Sequence, residues 1–504
     1  MVPREQLREA ARLAQGVDPA AALPLVARLL ADAPDDADVL TVAGIAAQRS
    51  GALREAIRHF ARAVAVEPDN PARLGNHAVA LKQAGRYDEA IAALEQALAL
   101  RPGAAVTLAN LGSCLIAADR PAEAEAPLRA AVAADPGHAE SWNNLGVALS
   151  RTNRLDAADA AYRQALTIRS GYVEAALNRV DLLDRSGRES EAARIAADVL
   201  RAIPGHPRAA NQLAAIRARA GDDAQAIALY RQALDSNGLN HPVGVNLATA
   251  LLRSGAYAEA LALCDRLLAE LPSSTMPLAL KCVALERLGD RAALDALMAL
   301  DRFVAVVDIP AVAGFADMAE FNLSLIAELA AHPSLTFEPE GLVTRAGRQT
   351  DDMADDRTPA IAALAAIARE QLAAHADRVT ASDHPWIAAR PDDWALTLWG
   401  TILAPGGAVA PHIHAPNWLS GVYYPEFPPP LAASGEGCFA IGPLPDQLGG
   451  GGTPAVFQPR AGRMILFPSF LWHCTLPFGG AAERMSLAFD LVPDGIGRRH
   501  RLVR

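Results

Sequence analysis

Alanine recurs at Ala22, Ala56, Ala90, Ala124, Ala158, Ala192, Ala226 and Ala260, each 34 residues after the last. A strict period of this length over more than half of a chain admits few architectures. It marks a structural unit that cannot bury its apolar face alone and must stack on copies of itself. Proline closes most units at the same interval, at Pro34, Pro68, Pro102, Pro136, Pro204 and Pro272. Leu111-Gly112 and Leu145-Gly146 occupy equivalent places in the first half of their units. Small residues at fixed places let two helices approach closely. Residues 3–274 therefore predict eight helix-turn-helix units, with a degenerate ninth over about 275–301, stacked as an α-solenoid.

This period and pattern are those of the tetratricopeptide repeat. One further position follows it. Asn76, Asn110, Asn144, Asn178, Gln212 and Asn246 are also 34 apart, which predicts a ladder of amides along the concave groove. An amide offers an acceptor and two donors, enough to pair with both N–H and C=O of an extended peptide. The ladder resembles the repeats of the O-linked N-acetylglucosamine transferase, whose asparagines hold substrate polypeptide by its backbone. The resemblance implies a protein or peptide partner in the groove. Amides that merely hydrate the groove are the plainer alternative.

Texture changes after Asp301. Residues 1–301 are rich in Ala and Leu and hold one tryptophan, Trp142, while Trp386, Trp394, Trp399, Trp418 and Trp472 all lie beyond. This predicts two domains, 1–301 and 302–504. In the second, Phe303–Asp308 reads as a strand, and Ala316–Ala331 and Pro359–Ala374 carry helical spacing. From Trp394 onward short apolar runs alternate with Pro/Gly turns: Trp394–Leu403, Leu419–Tyr424, Cys438–Ile441, Ala455–Phe457, Met464–Phe467 and Met485–Val492. Such spacing favours an antiparallel barrel or sandwich. Leu444–Gly452, with four consecutive glycines, reads as a mobile loop at the barrel mouth.

A net charge of −11 argues against nucleic acid as the main partner. Five cysteines without CxxC spacing indicate neither a disulfide framework nor a zinc finger. Met1-Val-Pro-Arg-Glu-Gln6 lacks a basic-then-apolar leader, and no apolar run approaches the roughly 20 residues that span a bilayer. The expectation is a cytoplasmic chain with no membrane partner, free to form a homo-oligomer.

The chemistry is concentrated near the C-terminus. His412 and His414 are two apart, so on a strand both imidazoles face one way. His473 ends the apolar run Met464–His473, read as a second strand facing the first. Three neutral imidazoles suit a first-row divalent metal, with one side left open. Arg484 and Ser486 follow one strand and turn later. Asp490, on the same face by alternation, is a weaker candidate ligand.

His-x-His, a distal His and Arg-x-Ser resemble the Fe(II)/2-oxoglutarate-dependent dioxygenases. So do the words Ser420-Gly-Val-Tyr-Tyr424, Phe467-Pro-Ser469 and Arg484-Met-Ser-Leu-Ala-Phe489, which look like a bacterial branch found fused to helical repeats. The resemblance implies a double-stranded β-helix, or jelly roll, with flanking helices. It implies His412, His414 and His473 as metal ligands, Fe(II), 2-oxoglutarate and O2 as cofactor and cosubstrates, and hydroxylation as the outcome. Arg484, Ser486 and Tyr424 would hold the cosubstrate; of Tyr423 and Tyr424 only one can point inward, and Tyr424 rests on the resemblance. The family's usual triad is His-x-Asp/Glu…His, and here His414 stands in the carboxylate position. Zinc suits three histidines nearly as well as iron. The leading expectation is a peptidyl hydroxylase. The alternatives are a non-catalytic scaffold with a cupin-like metal- or ligand-binding barrel, and an oxygenase acting on a small molecule.

Overall fold

The computed structural model describes residues 4–339, 343–379, 383–428, 435–479, 483–495 and 499–502. It divides into two compact units, Met1–Ile216 and Arg217–Arg504. No helix among the described residues is long and apolar enough to cross a membrane.

The first unit is a stack of helix pairs. Its regular repeats pair a 13-residue helix with a 14-residue one, as in Ala105–Ala117 with Pro121–Ala134 and Ala139–Arg151 with Leu155–Ile168. The periodic alanines are the reason the pairs close. Ala22, Ala56, Ala90, Ala124, Ala158 and Ala192 have no exposed surface. In several first helices a glycine makes room for a bulky neighbour. A Cβ built on Gly112 would lie 2.3 Å from Leu128 Cγ, and one on Gly146 2.5 Å from the Tyr162 ring. Glycine at these sites gives up helix propensity to admit a large side chain from the partner helix.

The second unit begins with the same helix pairs, among them His241–Arg253 with Tyr257–Glu270 and Met276–Leu288 with Arg291–Met298. Ala226 and Ala260 are again fully buried. Among the described residues ten strands follow in a curled antiparallel sheet: β1 (Ala305–Asp308), β2 (Thr336–Phe337), β3 (Thr344–Gln349), β4 (Trp394–His412), β5 (Leu419–Tyr424), β6 (Phe439–Ile441), β7 (Ala455–Phe457), β8 (Arg463–Pro468), β9 (His473–Thr475) and β10 (Arg484–Pro493). Their order is β1-β8-β5-β10-β4-β9-β6-β7, with β3 also on β4 and β2 on β3. The antiparallel sheet is of the class expected from the turn spacing and is consistent with the jelly roll that the resemblance implies. Helices Met318–Ala330 and Pro359–Arg378 pack on it.

Two local expectations change. The run Met464–His473 is two strands, because β8 ends at Pro468 and the chain turns before β9. β9 then lies beside β4, with His473 directly opposite His412. The glycine-rich loop Leu444–Gly452 is tied down: Arg287 donates to the carbonyls of Leu448 (2.9 Å) and Gly450, and Leu444 N–H donates to Gly451 O (2.8 Å). The change in texture at Asp301 does not interrupt the packing. One apolar core runs from Leu278, Cys282 and Leu285 through Phe303, Phe321 and Trp386 to Phe467, Leu487 and Phe489. Trp386 and Trp418 stack within it at 4.5 Å, each indole N–H donating to the other's backbone carbonyl at 2.8 Å.

The close approach at Gly146 is directly testable. Gly146→Ala gains helix propensity but drives a methyl into Tyr162, and overpacking of this kind costs about 1–3 kcal/mol. The variant should melt earlier than the parent by calorimetry, and adding Tyr162→Ala should recover part of that specific loss in a double-mutant cycle.

Candidate metal centre

β4 carries His412 on its last residue. The chain then leaves the sheet, so His414 does not share a strand face with His412 as its spacing suggests. His414 N–H instead donates to Ser469 O at 2.9 Å, which brings the following loop across the turn between β8 and β9. His473 opens β9. By this route the three rings converge, and their ligand nitrogens all lie within 4.8 Å of one another.

Each ring is oriented from behind. His412 Nδ1 donates to Ala410 O and His473 Nδ1 to Leu471 O, both at 2.9 Å. His414 Nδ1 meets Asp490 Oδ1 at 2.8 Å and Ser420 Oγ at 3.1 Å. Asn417 Nδ2 donates to the other Asp490 oxygen at 2.9 Å. A carbonyl or carboxylate can only accept, so all three Nδ1 atoms carry a proton and Nε2 is the atom each ring can offer to a metal. Burial, aided by the neighbouring His414, lowers the His412 pKa to about 3, and burial holds His473 well below its usual value. Both are neutral at physiological pH. His412 Nε2 and His414 Nε2 stand 3.0 Å apart. At that distance a proton on one of them would be shared as a hydrogen bond, and a metal ion would take its place as the common partner. The donor set fits a divalent metal of the imidazole-preferring kind.

The same cleft is lined by Tyr424, Arg484 and Ser486 as well as the three histidines. Arg484 sits on β10 opposite Leu403, with Ser486 opposite Thr401. Its guanidinium is 1% exposed and donates to Gly437 O (2.7 Å), Tyr424 Oη (3.3 Å) and Ser486 Oγ (3.4 Å). Among the described residues no carboxylate pairs with it. Burial lowers the pKa of Arg484 and pushes Tyr424 up to about 12. Tyr423 faces the opposite way, its hydroxyl donating to Asn322 Oδ1 at 2.6 Å beneath helix Met318–Ala330.

Sequence reasoning named Asp490 only as a weaker candidate ligand and missed Gln349 and Trp399. Asp490 stands behind His414 rather than beside the ligand atoms, in the way carboxylates commonly support metal-bound imidazoles. Gln349 also lines the cleft; its Nε2 donates to Thr344 Oγ1 (2.7 Å) and Thr401 Oγ1 (3.1 Å), while its buried Oε1 has no partner. Trp399 lies 5.3 Å from the His414 ring and is stacked by His500 at 4.5 Å. The amides of the repeats are less uniform than their spacing. All six are half-buried. Asn178 is engaged at both ends, by Asn143 and Arg208, and Gln212 donates to Leu177 O and Asp181. The side-chain amides of Asn76, Asn110 and Asn144 make no hydrogen bond among the described residues.

Residues 397–490 match the family model described as "Putative 2OG-Fe(II) oxygenase". Tetratricopeptide-repeat models match residues 41–105 and 177–241, 81–145 and 217–281, and 139–172. The chain carries tetratricopeptide repeats followed by a domain of this oxygenase family. No curated protein matches it. Similar solved structures include residues 41 to the end of MamA from Desulfovibrio magneticus RS-1, 23% identical over 33% of this chain and 93% of that one, with a TM-score of 0.31. A tetratricopeptide repeat protein from Parabacteroides merdae ATCC 43184 is 16% identical over 48% and 96%, with a TM-score of 0.42. The APC/C hetero-tetramer Cut9–Hcn1 is 16% identical over 49% and 48%, also at 0.42.

Loss of a carboxylate behind a metal-bound imidazole typically costs 10–100-fold in affinity. Asp490→Asn should weaken Zn(II) or Co(II) binding by about that factor in a competition titration, with the fold intact by circular dichroism.

Proposed function

We propose that residues 302–504 form an Fe(II)- and 2-oxoglutarate-dependent oxygenase domain that hydroxylates a protein or peptide held by the repeats, in the cytoplasm. His412, His414 and His473 would hold the metal through their Nε2 atoms. The observation that carries the reading is Arg484: a buried guanidinium without an acidic partner among the described residues, in one cleft with three converging imidazoles. Leaving such a charge unpaired is costly, and a ligand carboxylate removes the cost. Its planar fork suits that partner better than an ammonium would.

The residues divide the work. Arg484 takes the far carboxylate of 2-oxoglutarate, and the hydroxyls of Tyr424 and Ser486, already turned toward the guanidinium, complete that end. Fe(II), when bound, couples oxidative decarboxylation of 2-oxoglutarate by O2 to oxidation of a substrate C–H bond. Asp490, Ala410 and Leu471 keep the three Nδ1 protons pointing away, so each imidazole remains an Nε2 donor throughout. Phe439, Phe467 and Val422 wall the cleft and limit access of water.

For the substrate, Asn76, Asn110 and Asn144 are the amides with donors and acceptors to spare. A peptide paired to them is kept near the oxygenase domain at high effective concentration. The internal hydrogen bonds of Asn178 and Gln212 favour the second reading, an oxygenase of small molecules whose repeats serve assembly.

Succinate release should require both Fe(II) and 2-oxoglutarate, and it should vanish in His473→Ala. Arg484→Met should raise the 2-oxoglutarate KM at least about tenfold, the value of one hydrogen bond to a charged group. A protein loaded anaerobically with Fe(II) that develops no weak visible band on adding 2-oxoglutarate contradicts the assignment. Combining Asn76→Ala with Asn110→Ala should weaken capture of hydroxylated proteins, read by mass spectrometry as a gain of one oxygen; unchanged capture points to the small-molecule reading.

A further inference from the structure

By sequence, Met276–Leu288 belongs to the repeats and lies outside the oxygenase family match. Its contacts belong to the candidate metal centre. Thr275, the residue before the helix, donates from Oγ1 to Asn417 O at 3.4 Å. Asn417 in turn holds Asp490, and Asp490 holds His414. Four residues later, Ala279 O accepts the indole N–H of Trp472 at 2.9 Å. Trp472 is the residue immediately before His473, and its own carbonyl accepts from Gly442 N–H at 2.8 Å, next to the strand pair that joins Ile441 to His473. Residues four apart lie on one face of a helix, so a single face reaches toward two of the three imidazoles from two directions. A third tie comes from Arg287, near the end of the same helix, which holds the loop that follows β6.

The contacts are also well sheltered. Thr275 is 1% exposed and Asn417 3%. Trp472 shares a crevice with Cys282, Leu294 and Met298 of the repeat helices. Ala279 O lies within a helix, where the amide four residues on already donates to it. The indole bond is therefore an addition, and removing it leaves no orphaned carbonyl.

We propose that this terminal repeat helix is a positioning element of the metal centre. Trp472 sets the entry of His473 into β9, and Thr275, through Asn417 and Asp490, sets the orientation of His414. The degenerate ninth repeat is then the part of the solenoid that has been given over to the barrel. The proposal rests on the metal-binding reading above and adds to it residues that touch neither metal nor substrate.

Full-length protein titrated with Co(II) tests it, because affinity and the visible d–d bands report ligand geometry without turnover. Trp472→Phe and Thr275→Val should each weaken Co(II) binding several-fold. Together they should cost on the order of ten- to a hundredfold, as for other groups behind metal ligands. The bands should shift while circular dichroism stays that of the parent. Lys281→Ala, on the same helix but paired with Asp265, should bind as the parent does. Folded Trp472→Phe and Thr275→Val proteins with parental affinity and bands would overturn the proposal. Should Trp472→Phe fail to fold, Thr275→Val alone decides, since it removes one hydroxyl from an isosteric side chain. If the parent does not bind Co(II), or His473→Ala binds equally well, the metal reading itself is wrong, an outcome distinct from the failure of the helix to position anything.

Discussion

The arrangement at the cleft depends on where three protons sit. Each candidate ligand has its Nδ1 against an acceptor that cannot donate in return, a backbone carbonyl for His412 and His473 and a carboxylate for His414. That fixes which nitrogen of each ring is occupied from behind and leaves Nε2 as the one available to a metal. The rest of the architecture can be understood as what holds those acceptors still. Ala410 lies on β4, Leu471 in the turn between β8 and β9, and Asp490 on β10, which pairs with both β4 and β5. An isolated His-x-His segment could not orient both rings this way, because the acceptor for His414 comes from β10, 76 residues away.

The proposed site also shows what changes when histidine replaces the family's usual carboxylate. Three neutral imidazoles leave a divalent ion its full double charge, whereas an acidic ligand would cancel one unit. Here the negative charge has not been lost from the neighbourhood. Asp490 holds it one ring farther out, where it polarises the His414 N–H and makes that imidazole a better donor. The effect on the metal is weaker than direct ligation and softer in character, which moves the preference toward metals content with nitrogen. Arg484 adds a buried positive charge to the same cleft, so an anionic cosubstrate would be attracted by guanidinium and metal alike.

Much of this was legible in the chain before folding. The 34-residue alanines are buried as periodicity requires, since a recurring small residue is a local rule repeated at every helix pair. Strands β5 and β7 coincide with their apolar runs because turn residues bracket them. The three histidines, Arg484 and Tyr424 come together in one cleft. What could not be read is what depends on pairing between distant segments. Asp490 is 76 residues from His414 and Trp472 is 193 from Ala279, and no periodicity links either pair. The break after Pro468 was hidden for a related reason: apolar residues continue through the turn, so hydropathy shows one strand where backbone pairing makes two.

Composition and cohesion mark different boundaries in this protein. Tryptophan content changes at Asp301, yet the apolar core passes through that point without a gap, from Leu278 and Cys282 to Phe303 and Trp386. A sheet whose outer face is apolar needs a cover, and a stack of repeats needs a cap on its last helix; each requirement is met by the other. Such mutual burial explains why the ninth repeat departs from consensus. Its exposed face in an ordinary array would be polar, whereas Leu278, Cys282 and Leu285 here must match the surface of a barrel. The loss of repeat character at about residue 275 is therefore the sequence signature of a junction, visible without any knowledge of what the barrel does.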